Sequence, residues 1–438
     1  MSGVAAEQGQ SIESILDHGK VSGLQWLVLL VALVLNMLDG FDVTAMAFTA
    51  HSIGEQLAIP PEQLGIVFSV ALGGMMIGAM FIAPLSDVVG RRRIVLLSII
   101  VIGLSMLATG FVTSLLQLMI FRLLTGLGVG SLLASLATIT AEYTPAKYRS
   151  LCVVAVTAGY PLGASLGGFV AAPLLQSSGW QSVFVAGGIA TLSMVIIAYF
   201  CLPESLQFLI HRRPPRALQT LNRILLRLNA RQLEELPVAA PEKSRDKANV
   251  LSLLSPERRL RTVQLWLTFF FCFITLYFLM SWLPKLVVLS GLSETQGVYG
   301  SASFNGGAVV GILVLGWLSS FVSLSRLISV FLILTAVCMV IFALAAEYLP
   351  MLASLFVVGF FLQGGFCGLY AVAAKAYPVE VRTTGVGWAI GIGRFGAVVG
   401  PFAGGILIAR GTSIEMNFLL FAIPTLLAGF LAWRLGVR

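Results

Sequence analysis

The chain has 438 residues, 58% of them hydrophobic and only 11% charged, with a mean hydropathy of +0.96. Soluble domains carry roughly 25% charged residues, so a water-borne globular protein is excluded and most of this surface has to be solvated by lipid. The net charge of +8 does not point to nucleic acid, because the basic residues sit in short loops and first demand a topological explanation.

The N-terminal stretch is polar and mixed in charge (Glu7, Glu13, Asp17, Lys20). It lacks the basic start, short apolar core and small-residue cleavage site of a signal peptide, so the first helix is expected to stay attached. Apolar runs broken by charged or Gly/Pro-rich punctuation then predict helices over 24–48, 64–86, 94–113, 115–141, 150–173 and 180–202. A second set is predicted over 262–289, 295–320, 326–346, 350–376, 382–409 and 414–435. These runs match the ~20 residues needed to cross a ~30 Å hydrocarbon core. The polar stretch between the sets carries Arg212, Arg213, Arg216, Arg223, Arg227 and Arg231 beside a stripe of Leu218, Leu221, Ile224, Leu225 and Leu228 at helical spacing. That segment is expected to lie on the cytoplasmic membrane surface.

The basic residues set the orientation. Arg122 and Arg394 fall inside helices, and Lys285 and Arg410 on one side; the other Lys and Arg fall in the tails and alternate loops that include Arg91–Arg93 and the central linker. By the positive-inside rule both termini are expected in the cytoplasm of a bacterial inner-membrane protein. The chain also repeats itself 233 positions on: Leu85-Ser86 returns as Leu318-Ser319, Pro145 and Arg149 as Pro378 and Arg382, and Gly163 and Gly167 as Gly396 and Gly400. The expected architecture is all-α, with twelve transmembrane helices in two pseudo-symmetric six-helix bundles: residues 1–202, a linker 203–261, and 262–438. A duplicated scaffold of this kind holds its ligand near the midplane between the halves.

The five cysteines lie in or beside apolar segments without metal or redox spacing, so they read as small packing residues. No metal, cofactor or catalytic set is expected. His18, His51 and His211 lie near or outside the membrane edge, which argues against a histidine proton relay.

Specific motifs narrow the class. Ala83-Pro-Leu85-Ser-Asp87-Val-Val-Gly90-Arg91-Arg92 resembles the loop signature between the second and third helices of the major facilitator superfamily, with its first Gly and first Arg replaced. Arg122-x-x-x-Gly126-x-Gly128-x-Gly130, Glu142-x-x-Pro145-x-x-x-Arg149 and Pro203-Glu204-Ser205 are similar to other patterns of that superfamily. The second-half copy of the loop, Gly316-Trp-Leu-Ser-Ser320, has serine where the acid should stand, which weakens a symmetric latch. Asp39-Gly40-Phe41-Asp42 resembles the hallmark of the aromatic acid:proton symporters within it. Tyr277-Phe278-Leu-Met-Ser-Trp282-Leu-Pro284 and Gly393-Arg394-Phe-Gly396-Ala-Val-Val-Gly400-Pro401 are similar to the same subfamily. The resemblance implies a proton-coupled importer of a small aromatic carboxylate, working by alternating access, without cofactor and as a monomer. A carrier of sugars, polyols or other organic acids, or an exporter of drugs or metabolites, is the rival on the same scaffold.

The charged residues inside the helices are candidates for coupling. Asp39 and Asp42 share one helix face with Asn36 and lie ~23 and ~27 Å above the cytoplasmic end of the first helix. A charge near the bilayer centre costs ~2.5 to 3.5 kcal/mol on insertion scales, so such a pair has to face water, a partner or a proton. Arg122 lies ~10 Å inside from the other surface, at similar depth; the resemblance implies a coupling role for it. Through the 233-residue repeat, Asp39, Asp42 and Arg122 correspond to Cys272, Thr275 and Leu355, and Arg394 to Pro161. The repeat thus explains the glycines and prolines but not these charges. Arg394 offers a planar two-pronged donor to a carboxylate, and Tyr277, Tyr370, Phe273 and Phe366 are candidates to pack on an aromatic ring, as are Phe270 and Trp282. Asp87, Arg91, Arg92, Glu142, Arg149, Glu380 and Arg382 read as gate and topology residues, with plain positive-inside charges as the alternative for all but Asp87.

Overall fold

The computed structural model describes residues 22–230, 232–237, 253–343, 348–378 and 381–436. Among them, eleven helices are long and apolar enough to cross a membrane. One, Ala146–Cys201, runs for 56 residues and breaks at Gly179 (φ 75°, ψ 174°). At 1.5 Å per residue it is far too long for a single crossing, so it makes two and the total is twelve. In chain order these are α1 (Gly23–Gln56), α2 (Pro61–Val89), α3 (Arg91–Thr109), α4 (Leu115–Tyr143), α5 (146–178) and α6 (180–201). Two short linker helices follow, α7 (Leu206–Arg212) and α8 (Ala217–Arg227). Then come α9 (Arg259–Leu289), α10 (Glu294–Leu318), α11 (Leu324–Ala343), α12 (Tyr348–Ala376), α13 (Arg382–Ala409) and α14 (Ile414–Leu435).

Local chemistry sets the breaks. Ser22 and Ser293 close capping boxes with Gln25 and Gln296 at the starts of α1 and α10. Pro84 lacks an N–H and crowds the carbonyl a turn earlier; α2 accordingly loosens to a π turn over Gly78–Ile82 and tightens to a 3-10 turn over Ala83–Leu85. Gly90, at φ 111°, separates α2 from α3 in a conformation that residues with a Cβ rarely adopt.

The same pairings occur at both ends of the chain. In the first bundle α1 packs on α5, α2 on α4 and α3 on α6; in the second α9 packs on α13, α10 on α12 and α11 on α14. The repeat explains this to the level of single residues. A methyl group at Gly163 would meet the Met37 carbonyl oxygen at 1.9 Å, and one at Gly396 would meet the Phe270 carbonyl oxygen at 2.2 Å. Met37 and Phe270 are themselves repeat partners, so each glycine brings equivalent backbones into contact.

Between the bundles, α1 meets α9, α2 meets α13 and α5 meets α10. Among the described residues, the hydrogen bonds joining the bundles lie toward the end where α1 finishes and α10 begins. Ser52 Oγ donates to the Glu294 carboxylate (2.7 Å), Ser69 Oγ to the Val398 carbonyl (2.7 Å), Ser165 Oγ to the Ala302 carbonyl (2.9 Å) and Gln176 Nε2 to Thr295 Oγ1 (2.7 Å). Gly65 lies directly against Gly405, and Phe68 meets Trp282 edge to face at 5.3 Å between ring centroids. The bundles are sealed at this end.

The linker departs from expectation. Leu221, Ile224 and Leu225 are buried within the protein, in the same apolar cluster as Leu206, Leu209 and Leu253, rather than offered to a membrane surface. Arg212 Nε donates to the Asp87 carbonyl (3.3 Å), so the linker docks on the first bundle and its stripe finds protein before lipid. Leu226, outside the stripe, is exposed.

Candidate functional site

The four intramembrane charges sort into two groups. Arg122 on α4 is 2% exposed and bonds Asp42 of α1, Nη1 to Oδ1, at 3.3 Å. Its other terminal nitrogen donates to Thr109 Oγ1 (3.1 Å) and Thr125 Oγ1 (3.2 Å), and its guanidinium lies over the Phe184 ring at 5.2 Å. This ion pair is nearly complete within the first bundle. Beside it a cavity of about 30 Å³, lined by Asp42, Arg122, Thr125 and, from the other bundle, Ser281, has room for a water molecule.

Asp39 does not join that pair. A turn along α1 from Asp42, it is 2% exposed and its Oδ2 is enclosed without a hydrogen-bond partner. Asn36, three residues earlier, likewise has an enclosed and unpartnered Oδ1. A spacing of three puts adjacent side chains ~60° apart around the axis, which is enough for α4 to reach one acid and miss the other. The similar depth that matches Arg122 to both aspartates thus resolves to a bond with Asp42 alone among the described contacts.

On the facing bundle, Arg394 of α13 is half-buried. Its Nη1 donates to Tyr277 Oη (3.2 Å), its guanidinium lies 5.8 Å from the Phe273 ring centre, and its Nε has no partner. Gly393 makes room, since a methyl there would meet Phe273 at 3.0 Å. The predicted aromatics come together around it: Phe273 stacks on Tyr277 (5.6 Å) and meets Phe366 edge-on (4.9 Å), and Phe366 meets Tyr370 edge-on (5.4 Å). Phe273 is fully enclosed, so it backs Tyr277 and Phe366 rather than offering a free face. Trp282 is elsewhere: its Nε1 donates to the Pro401 carbonyl (2.8 Å) and its ring abuts Phe68 in the seal.

Sequence reasoning missed Tyr160. On α5, it stands with its backbone carbonyl against Gly40, where a methyl would sit 1.9 Å from that oxygen. Its hydroxyl is enclosed and unpartnered, within electrostatic range of Asp39 on one side and of Tyr277 and Arg394 on the other. Its neighbours Gly159 and Gly163 press against α1, so the run reads as helix packing and hides it.

The gate residues form a cluster at the end opposite the seal. Arg91 pairs with Asp87 (Nη2 to Oδ1, 2.8 Å) and with Glu142, and its Nη1 reaches Ser205 Oγ (3.4 Å). Arg92 donates through its guanidinium to the Tyr199 carbonyl and lies over that ring at 5.1 Å. The carboxylate that caps the start of α3 is Glu204, whose Oε1 accepts from the Arg92 amide (3.0 Å). Arg149 is in the first turn of α5 with its Nε unpartnered, and no described bond ties it to Arg91. Arg382 opens α13, and Glu380 lies outside the described residues. Among the described residues no group of three metal-ligating side chains comes together.

Comparison with known proteins places the family and the fold. The model of the Major Facilitator Superfamily matches residues 32–308 and 291–438. The chain is 34% identical over 419 residues to the 4-hydroxybenzoate transporter PcaK of Acinetobacter baylyi (94% of this chain, 91% of the relative). It is 33% identical over 419 residues to the gallate transporter of Pseudomonas putida (95% and 93%) and 31% over 407 residues to the 3-(3-hydroxy-phenyl)propionate transporter of Escherichia coli (92% and 92%). Among solved structures, the D-xylose-proton symporter superposes with a TM-score of 0.73 at 17% identity, covering 93% of this chain and 97% of that one. That likeness speaks for the fold alone.

Proposed function

Because the chain belongs to the Major Facilitator Superfamily, among its aromatic acid transporters, and is therefore a multi-pass membrane carrier and not an enzyme, we propose that it imports a small aromatic carboxylate together with protons. The observation that carries this reading is the row of unsatisfied polar groups between the bundles. Arg394 Nε, Tyr160 Oη, Asp39 Oδ2 and Asn36 Oδ1 are enclosed and unpartnered, whereas buried polar groups are ordinarily paired. An arginine with a free edge beside a set of aromatic rings suits an anion with a flat apolar body. Asp39 is the better coupling residue of the acid pair, since Asp42 already has Arg122. Protonation of Asp39 removes its repulsion of the anion, and only the loaded or empty carrier crosses over readily.

The positive-inside pattern supports a bacterial inner-membrane protein with both ends in the cytoplasm. In that orientation the seal near Ser52 and Glu294 is periplasmic and the structure faces inward. Residues 1–202 and 262–438 then form the rocking units, joined by the linker 203–261, and the unit of transport is a monomer. Asp87, Arg91 and Glu142 are the cytoplasmic gate, which must rearrange as the carrier switches.

The deciding experiment is uptake of radiolabelled 4-hydroxybenzoate into proteoliposomes with an imposed inward proton gradient, with and without uncoupler, for wild type and Arg394→Ala. Wild type accumulates the acid only with the gradient. Arg394→Ala binds it about 10- to 100-fold more weakly, as expected for a lost charge-assisted hydrogen bond. Uncoupler-insensitive accumulation would remove proton coupling; selective stabilisation by xylose or cationic dyes, with no response to aromatic acids, would remove the substrate class.

A further inference from the structure

We propose that Tyr160 is the positioning residue that ties the proton to the cargo: its hydroxyl donates to the carboxylate held by Arg394 while Asp39 is protonated, and to the Asp39 carboxylate once that proton has left. The inference rests on the carrier reading above and adds to it a residue that neither the motifs nor the repeat singles out.

Three observations carry it. The hydroxyl is enclosed and has no partner, although the rest of the side chain packs on the core. A phenol both donates and accepts, yet has a single proton to donate, so it can serve one of two competing acceptors at a time. Its position supplies both. The titratable and charged groups facing it are Asp39 and Asp42 from α1, Tyr277 from α9 and Arg394 from α13. Asp42 is engaged by Arg122 and Tyr277 accepts from Arg394, whereas Asp39 Oδ2 has no partner, so Asp39 and a carboxylate cargo on Arg394 are the anionic acceptors between which the hydroxyl alternates. The third bundle contact of α5 is with α10, whose Tyr299 meets Phe169 farther along the helix.

The position is also fixed. Gly40 stands next to Asp39 in the chain and against the Tyr160 backbone, so any movement of α5 relative to α1 would have to separate a tight contact. Tyr160 and Asp39 therefore keep their relation while Arg394, on the other bundle, approaches or recedes. A residue held to the proton site and facing the anion site can report the state of one to the other.

The test is Tyr160→Phe, which removes one unpartnered oxygen and keeps the ring. The melting temperature of the purified variant is expected to match wild type. Binding of 4-hydroxybenzoate to wild type is measured at pH 6 and at a more alkaline pH and weakens with the rise, because deprotonated Asp39 claims the hydroxyl and repels the anion. In the variant, binding at pH 6 falls about 5- to 10-fold, the loss of one hydrogen bond, and the pH dependence flattens. Gradient-driven accumulation drops while counterflow exchange continues. Tyr277→Phe is the comparison: it weakens binding by a similar factor at both pH values.

A second variant, Tyr160→His, places a group titrating near pH 6.5 at the same point and shifts the midpoint of the profile. The proposal is overturned if Tyr160→Phe keeps the wild-type profile and accumulation, or if Tyr160→His leaves the midpoint unmoved. Failure of the underlying reading looks different, since wild type itself would then neither bind nor accumulate the acid.

Discussion

Asp42 and Asp39 stand one turn apart on the same helix, both almost fully enclosed, yet their surroundings are opposite. Asp42 belongs to a closed society of Arg122, Thr109, Thr125 and Phe184, all within the first bundle. Asp39 has an enclosed Oδ2 without a partner and lies within electrostatic range of Tyr160, as Arg394 of the other bundle does. A bonded buried acid holds its part of the fold, even with the Arg122 Nε left unpartnered, and an acid without a partner leaves a polar group for a ligand. The two acids thus differ in their surroundings, although the sequence presents them as a pair.

That division can be broken from either side. Asp42→Ala strands the Arg122 guanidinium in the core and should cost about 3 to 5 kcal/mol, read as a large fall in melting temperature in detergent. Gly40→Ala forces α1 off α5 at the Tyr160 carbonyl and should cost about 1 to 3 kcal/mol; it also lowers affinity for the aromatic acid, because Asp39 and Tyr160 lose their register. Asp39→Asn should change stability least, within about 1 kcal/mol, while abolishing gradient-driven accumulation and sparing exchange. Equal destabilisation by Asp39→Asn and Asp42→Asn in parallel melts would mean that the two acids do the same job, and the distinction drawn here would fall.

Much of the scaffold was legible because it obeys repetition and packing. The helices follow from apolar runs, and Gly163 and Gly396 were found as repeat partners before either was seen to press against its equivalent neighbour. The depth of Arg122 matched it to the aspartates. What depth could not tell is azimuth: whether a helix 10 Å away reaches Asp39 or Asp42 depends on tens of degrees of rotation, which no single-helix pattern contains. Trp282 lies farther along α9 and on the opposite side from Phe273, in the seal. The linker stripe read as membrane-bound because amphipathicity names an apolar partner without saying whether it is lipid or protein. Tyr160 was hidden by its neighbours, since a Gly-Tyr-Pro-x-Gly run reads as packing; a tyrosine among glycines at midplane depth, facing a helix that carries acids, was the available signal.

The glycine contacts that weld α1 to α5 and α9 to α13 have a consequence for the machine in motion. Each weld carries one half of the proposed binding groups, Asp39 with Tyr160 on the first and Arg394 with Tyr277 on the second. Rocking therefore leaves either half intact and changes only the gap between them. Whatever bridges that gap acts as a temporary rivet, and the freight itself becomes the part that lets the two bodies turn as one.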